Sequence, residues 1–561
     1  MKKRNLLPYG LLALACLASC GGRVIHYDSN KLQIFVEAYQ GGYGTDWIEE
    51  RARAFEDAHK NDVYGNKIGV EIHVVTGDVI GKNLIQDTQN SNYDIVFSEQ
   101  TPNYPMLVQQ GVLEDLTDIV TEVIPSQGHS IASAMQDDVR SFYETDDHKY
   151  YGLPYGDHFY CLVYDEEQFY RKGWFFTKVF DDRVGLGEAS YVQEGDLIAR
   201  SESAKAAKLQ DGFYVTEAGE TLGKGPDGIY GTHDDGQPET YGDFLLLCNE
   251  MIGDNVKPLL WIGNGSDYVG NYLSELATDY EGYDAARVNA TFHGQMPLTE
   301  DGKKETFTAI TMDNYRDVSK SMGRFKALEW LYSIYANGNK NDFVDTAIAD
   351  NGSAKQMMTH REFLRGTRGQ GRNEVAFLLD GAWWEHETEM DAESIGEHAN
   401  TRSFKMLSNP KADRSRLGPA TYVDTGSLTA LLLSKTAEAK KAVCKEFLQS
   451  CFIDEANRIF SMETGVSRPY SYNLNEADLG NLSSFARNMW QHTRAEGAKI
   501  VYPLDDNPNF NAASDLLRPT HYFDAIVDGV EYPSVLQLIN ADGMTPLEAF
   551  HGINAYYDKY I

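Results

Sequence analysis

The sequence predicts an α/β fold with mainly parallel sheets, arranged in two large lobes. Segments in which apolar and polar residues alternate, as in a strand, are followed along the chain by segments in which apolar residues recur at helical spacing. This order is typical of parallel sheets that are covered by helices on both faces. The chain has 561 residues, which exceeds one ordinary domain and therefore favours two lobes.

The first part of the sequence shows the alternation of strands and helices. Residues 32–38 predict a strand, and Thr45 is the expected N-cap of the amphipathic helix that follows it. Further strands are expected at residues 68–75 and 94–97, with a helix at 80–89 between them.

The second part repeats this pattern. Strands are expected at residues 160–164, 375–379 and 421–433, and helices at residues 325–335 and 437–452.

The C-terminal segment carries the clearest local signal. Thr545 is a predicted N-cap, Pro546 occupies the first helical position, and Glu548 completes a capping box. Residues 183–240 break the alternation with a sequence rich in Gly, Asp and Tyr, which we interpret as an insertion on one lobe.

The N-terminus predicts export and a lipid anchor. Three basic residues at positions 2–4 precede an apolar stretch from Leu6 to Ala18, which is shorter than the roughly 20 residues that span a bilayer. The stretch ends in Leu-Ala-Ser-Cys, which resembles the bacterial lipobox. It implies a signal peptide at 1–19, acylation of Cys20, a tether at 20–30 and a place on the extracytoplasmic face of the cell membrane. The alternative is an ordinary secretory signal with a chance cysteine.

Charge and cysteine content narrow the class of protein. The net charge of −34 argues against a nucleic-acid partner, since phosphates would be repelled. Beyond Cys20 there are four cysteines and no CxxC pair, and Cys444 and Cys451 lie about 10 Å apart along one expected helix, too far for a disulfide. Buried free thiols are therefore expected, without a redox site.

Several short motifs follow one another in a recognisable order and together resemble the extracellular solute-binding proteins of the maltose-binding type, family 1, in lipoprotein form. They are Asn92–Phe97, Gly111–Leu116, Tyr151–Tyr155, Leu162–Asp165, Gly371–Arg372 before Val375–Phe377, Gly381–Trp384 and Thr464–Tyr470.

This resemblance implies a type II "Venus flytrap" of two lobes that captures a carbohydrate, more often an oligosaccharide than a monosaccharide. It also implies a monomer that delivers its cargo to the transmembrane subunits of an ABC importer, with no cofactor and no enzymatic activity. By analogy, lobe 1 holds residues 31–155 and about 401–455, and lobe 2 holds about 156–400 and 456–561. The chain is longer than is usual in the family.

Sugars offer apolar C–H faces and a rim of hydroxyl groups, so their receptors need aromatic platforms and polar side chains. Trp383 and Trp384 follow a predicted strand, at the edge of an open α/β sheet where ligands bind. In the family, the position of Trp383 commonly stacks on a sugar ring. Either tryptophan could instead belong to the core.

Other candidate ligand-binding residues follow predicted strands or the first crossing between lobes. Each has an alternative role in hinge packing, in a surface loop or in an ion pair. They are Tyr43, Glu99, Gln100, Tyr155, Asp157, His158, Trp261 and Arg468.

Residues 225–236 place carboxylates among glycines, in a pattern that departs from the EF-hand. Oxygen ligands on a flexible turn suit calcium. The pattern therefore predicts a structural Ca²⁺ site, with a hairpin of Asp-Gly turns as the alternative. The expected ligands are Asp227, Thr232, Asp234 and Asp235.

Two rival functions stay open at this point. The same fold could bind a peptide, a polyol or a phosphorylated compound. A lipid-anchored glycoside hydrolase or lyase would need a pair of catalytic carboxylates, and with 84 acidic residues the sequence alone does not exclude such a pair.

Overall fold

The computed structural model describes residues 27–39, 42–76, 90–98, 104–185, 222–262, 268–335, 340–349, 356–392, 396, 398–426, 428–503, 518–540 and 543–561. The predictions for Cys20, for Glu99 and Gln100, for the helix at 80–89 and for most of the insertion lie outside these residues.

The strands are numbered in chain order. They are β1 (Leu32–Ala38), β2 (Val63–Tyr64), β3 (Lys67–Ile68), β4 (Val70–Thr76), β5 (Ile95–Ser98), β6 (Gly152–Pro154), β7 (Tyr160–Asp165), β8 (Lys257–Leu260), β9 (Gly294–Leu298), β10 (Thr306–Ile310), β11 (Val375–Gly381), β12 (Phe404–Leu407), β13 (Thr421–Val423), β14 (Thr429–Leu432), β15 (Lys499–Val501), β16 (Ala525–Val527) and β17 (Val530–Tyr532).

The first lobe is built on a five-stranded sheet in the order β4-β1-β5-β14-β6. β1 runs parallel to β4 and β5, while β14 runs antiparallel to β5 and β6. All four residues of β5 are buried, as expected of a strand that is covered on both faces.

The second lobe is built on a four-stranded sheet in the order β12-β7-β11-β8. β11 and β8 run parallel, while β7 lies antiparallel to both β11 and β12. β7 and β11 are buried along their whole length, so these two strands form the centre of the second core.

Helices cover both sheets. Their bounds are Asp46–Ala58, Tyr104–Gln109, Thr117–Thr121, Ile131–Ala134, Asp137–Tyr143, Glu166–Lys172, Lys178–Gly185, Tyr241–Gly253, Tyr268–Glu281, Tyr283–Thr291, Met322–Tyr335, Lys340–Phe343, Thr346–Ala349, Gln356–Gly366, Trp384–Ala392, Glu438–Ser450, Asp454–Thr464, Glu476–Asn481, Ser484–Thr493, Val535–Ile539 and Pro546–Tyr560, with 3-10 turns at Tyr315–Lys320, Ala399–Thr401, Arg414–Arg416 and Pro519–His521.

Of the two N-caps predicted from the sequence, one makes the expected capping hydrogen bonds and the other does not. The capping box at Thr545 and Glu548 is present, with Pro546 in the first turn. Thr45 occupies the N-cap position of its helix, but its side chain makes no capping bond; its hydroxyl donates to Glu49 instead.

The chain crosses between the lobes three times. It passes from β6 to β7, returns from β12 to β14, and crosses again after the helix Asp454–Thr464, which packs on the first helix of the first lobe. β13 pairs in parallel with β15 beside these crossings. Because three segments of the chain join the lobes here, this region forms the hinge.

The lobe limits differ in part from those expected. β12 starts at Phe404 and pairs with β7, so the second sheet continues past the boundary expected near residue 401. The helix Asp454–Thr464 packs on the first lobe, although residues from 456 onward were assigned to the second lobe. The segment at 421–433 is not one strand but two, because β13 lies at the hinge and β14 in the first sheet.

The cysteines match the prediction from the sequence. The four cysteines of the described residues are buried free thiols. In the same residues, every helix is too short or too polar to cross a membrane.

Candidate ligand-binding site

Two tryptophans mark one edge of the second sheet. β8 ends at Leu260 and is followed by Trp261, and the parallel strand β11 ends at Gly381, two residues before Trp383. The carboxyl ends of parallel strands lie at the same edge of a sheet, which is where open α/β sheets bind ligands.

Trp383 lies where the two lobes meet. Its ring contacts His158 at 3.8 Å and Tyr160 at 5.0 Å between centroids, and Tyr43 of the first lobe at 6.5 Å. A Cβ atom at Gly42 would lie only 2.4 Å from the Trp383 side chain, and Gly42 has a φ of +65°. The loop after β1 therefore lies directly over Trp383, which is 5% exposed.

The same loop makes a second contact with the second lobe. A Cβ atom at Gly44 would lie 2.1 Å from Nε2 of His386. Only glycine allows this approach, so Gly44 and the helix Trp384–Ala392 of the second lobe fit closely.

Trp384, a predicted ligand-binding residue, lies in the core of the second lobe. It is fully buried, and its ring packs against Phe404 at 5.0 Å, Phe485 at 5.6 Å and Phe363 at 5.8 Å. Because Trp384 starts a helix directly after the turn, its side chain points into the lobe while that of Trp383 points out.

Asp157, a predicted ligand-binding residue, lies at the hinge. Its carboxylate accepts hydrogen bonds from the hydroxyl groups of Ser467 and Tyr502, and burial raises its pKa. These bonds tie the first crossing to the segment after the helix Asp454–Thr464 and to the segment after β15.

His158 contacts both the hinge and the predicted cleft. Its backbone N–H donates to Asp424 at 2.8 Å, and its ring lies against Trp383. Burial lowers the pKa of the imidazole to about 3, so the ring stays neutral at physiological pH.

Tyr155, a predicted ligand-binding residue, lies in the first-lobe core. Its ring stacks on Trp47 at 6.1 Å and meets Phe97 edge-on at 5.4 Å. It therefore packs the end of the first sheet.

Arg468, a predicted ligand-binding residue, lies in the core of the first lobe. It is fully buried, donates to the carbonyl of Cys451 and to Asn457 Oδ1, and lies 4.0 Å from the ring centroid of Phe460. Its role is to join the helices of the first lobe.

Trp261 keeps a place at the sheet edge. It is 2% exposed, its ring lies 5.6 Å from Tyr335, and its Nε1 donor has no hydrogen-bond partner in the described part of the chain.

Two aromatic residues near Trp383 were not predicted from the sequence. Tyr160 meets Trp383 edge-on, and Tyr268 meets Tyr160 edge-on at 5.1 Å. Tyr160 is the first residue of β7 and so starts the second lobe directly after the crossing, a position that could have drawn attention to it.

A groove of about 360 Å³ continues from His386 along the boundary of the lobes. Glu385 lies on its second-lobe wall, and burial raises the pKa of this carboxyl to about 7. Glu463 lies on the wall formed by the helix Asp454–Thr464, and burial together with the neighbouring Glu50 raises its pKa to about 7. Both carboxyls therefore titrate near neutral pH.

The aspartate-rich loop predicted to bind calcium lies on the second lobe, away from Trp383. Burial and the neighbouring Asp227 raise the pKa of Asp234 to about 7. Asp227 and Asp234 approach each other, and all four side chains form hydrogen bonds within the loop.

Solved structures share this fold over nearly the whole chain. A chitin oligosaccharide binding protein matches 95% of this chain and 99% of its own, at 13% identity and a TM-score of 0.53. The SBP RafE in complex with raffinose matches 94% of this chain and 99% of its own, at 12% identity and a TM-score of 0.50.

The chain has the two-lobe fold of periplasmic solute-binding proteins. This confirms the fold class that the sequence predicted. No protein-family model and no curated protein matches the sequence.

Proposed function

We propose that the chain is the extracytoplasmic receptor of a carbohydrate ABC importer, which captures an oligosaccharide between its lobes and presents it to the transmembrane subunits. The observation that carries this proposal is the position of Trp383 at the carboxyl edge of the second sheet, in contact with a loop of the first lobe. The two proteins of the same fold are described with chitin oligosaccharide and with raffinose, which supports a sugar as the cargo.

The chemistry around Trp383 suits a sugar. Trp383, Tyr160, Tyr43 and Tyr268 offer aromatic faces and edges to apolar C–H groups. His158 is neutral, so its imidazole can both donate to and accept from a hydroxyl group. One aromatic contact contributes about 0.5–1.5 kcal/mol, while micromolar binding needs about 8 kcal/mol, so several groups must act together.

Access to Trp383 requires movement of the lobes. Gly42 and Tyr43 cover its ring, so a sugar can stack there only after the first-lobe loop moves away. The crossings at Asp157 and the short sheet of β13 and β15 provide the hinge for this motion. We therefore propose that ligand entry follows opening, and that closure then buries the sugar.

The test is a thermal-shift screen of the purified protein against a panel of oligosaccharides, followed by calorimetric titration of any hit. A ligand that binds only the folded state raises stability by RT ln(1 + [L]/Kd), about 2.7 kcal/mol at 100 times Kd. A clear rise with one glycan class is expected. A response to peptides or polyols alone would keep the fold and reject the sugar, and release of a cleaved product would indicate an enzyme.

We also propose that Cys20 carries the lipid anchor and that the protein works as a monomer at the membrane. The support is the run of small residues before Cys20 and the apolar stretch from Leu6 to Ala18. Palmitate labelling in a bacterial host is expected for the natural sequence and absent for Cys20→Ala. Equal labelling of both would reject this anchor.

A further inference from the structure

The aspartate loop, defined as residues 225–236, brings together three side chains that can bind a metal. One ligand atom each from Asp227, His233 and Asp234 lies within 4.8 Å of the others. Two of the three were expected to bind calcium, whereas His233 was not.

Thr232 and Asp235, the other two residues expected to bind calcium, form hydrogen bonds within the loop. Both carboxylate oxygens of Asp235 accept backbone N–H groups, from Gly231 at 2.8 Å and from Thr232 at 3.2 Å. The Thr232 hydroxyl donates to the carbonyl of Ile229 and to Asp234. Asp235 and Thr232 thus shape the turn that presents Asp227, His233 and Asp234.

His492, on the helix Ser484–Thr493, is a second histidine beside these three side chains. His492 is 1% exposed, and its ring meets that of His233 edge-on at 4.1 Å. Its Nδ1 is within 3.2 Å of the hydroxyl oxygens of both Ser408 and Tyr422. Its Nε2 is buried and has no hydrogen-bond partner within the described residues. A polar atom of this kind needs a partner, and it lies on the same cavity wall as His233.

Electrostatics also favour a cation at this place. Neither Asp227 nor Asp234 forms an ion pair with a lysine or arginine in the described part of the chain. The basic groups that line the cavity interact elsewhere: Lys411 is paired with Asp279 at 2.8 Å, Arg494 lies over the ring of Trp490 at 4.8 Å, and Lys405 lies near Glu166. Two neighbouring carboxylates without a counter-ion repel each other.

We infer that Asp227, His233 and Asp234 form a binding site for a divalent transition-metal ion of the zinc type, whose remaining coordination positions face a cavity of about 750 Å³ on the second lobe. The imidazole decides the class of metal, because calcium selects oxygen ligands whereas zinc combines nitrogen and carboxylate ligands. The ring of His492 packs edge-on against that of His233. This site is separate from the one around Trp383 and does not depend on the proposed cargo.

The test uses the purified full chain after treatment with a chelator. Calorimetric titration with Zn²⁺ is expected to give one ion per chain, and Co²⁺ is expected to give visible d–d absorption with a nitrogen ligand. His233→Gln should weaken Zn²⁺ binding at least about tenfold, since even partners of metal ligands contribute 10–100-fold. Asp234→Asn should weaken it as well.

Asp235→Asn is the matched control, because it changes a neighbouring carboxylate that shapes the turn without facing the ion. It should retain Zn²⁺ binding, and the melting temperatures of the metal-free variants will show whether the loop is intact. Absence of Zn²⁺ binding would overturn the inference. So would an unchanged affinity in His233→Gln, and Ca²⁺ binding that does not depend on His233 would restore the calcium prediction.

Discussion

Two adjacent tryptophans lie in two different regions of the second lobe. Trp383 and Trp384 are both less than 6% exposed, yet their neighbours differ. The ring of Trp384 is surrounded by its own lobe, including Phe404 and Phe485, whereas that of Trp383 is covered in part by Tyr43 from the other lobe. Low exposure therefore has two origins here: burial within one lobe, and burial against the other lobe.

The sharpest test of this difference is Trp384→Ala. Removal of a fully buried tryptophan leaves a cavity and should lower the free energy of unfolding by about 3–5 kcal/mol. Denaturant unfolding measures this loss. Trp384→Phe is the milder control, because its ring still packs against Phe363. A loss below about 1 kcal/mol in the alanine variant would place Trp384 outside the core.

The groove beside Trp383 should make stability depend on pH. The pKa of Glu385 is raised to about 7, so the folded protein favours the protonated form. Its stabilising contribution is complete below the unfolded pKa of about 4.3 and is lost as pH rises through about 7. Stability should therefore fall from about pH 5 to about pH 8, by up to about 3 kcal/mol for this group.

Urea unfolding across this range measures the effect, and Glu385→Gln should flatten the curve. An unchanged slope in Glu385→Gln would assign the pH dependence to other groups.

Trp383→Ala should leave the unliganded protein nearly as stable as before while it weakens binding of the sugar found in the screen. We expect a loss of affinity of about 10–100-fold, or 1.4–2.7 kcal/mol, because stacking and apolar burial are both removed. Calorimetric titration gives the affinity, and the melting temperature without ligand is the control. A large drop in that melting temperature would make Trp383 a second core residue.

Gly44→Ala should have the smallest effect of the four. A methyl group there would collide with His386 at 2.1 Å, and the φ of +64° is unfavourable for alanine by about 1–2 kcal/mol. The contact between the lobes should loosen, so the radius of gyration should rise while the lobe cores remain intact. Gly65→Ala is a suitable control, since its φ is +64° as well and nothing lies near its Cβ.

Signals that depend on neighbouring residues could be read from the sequence. The strand at 32–38 and the capping box at Thr545 and Glu548 were predicted with the bounds that the structure shows. Apolar periodicity and helix caps arise within a few residues, which is why these elements needed no tertiary information.

Features that depend on tertiary structure could not be read in this way. The apolar run at 421–433 gave no sign that β13 and β14 belong to different sheets, since pairing partners lie far away in the chain. Asp157 and Arg468 have the residue types of a sugar site, but Tyr502 and Cys451 bind them in the hinge and the core. Trp383 and Trp384 have the same chemistry, so only the direction of the turn separates them.

The buried thiols have a practical consequence. Burial raises the pKa of Cys161, Cys248, Cys444 and Cys451, and a protonated, inaccessible thiol reacts slowly with alkylating reagents. A pair of engineered surface cysteines, one on each lobe, could therefore carry two fluorescent dyes with little background labelling. Energy transfer between the dyes would then report the opening and closing of single molecules in real time.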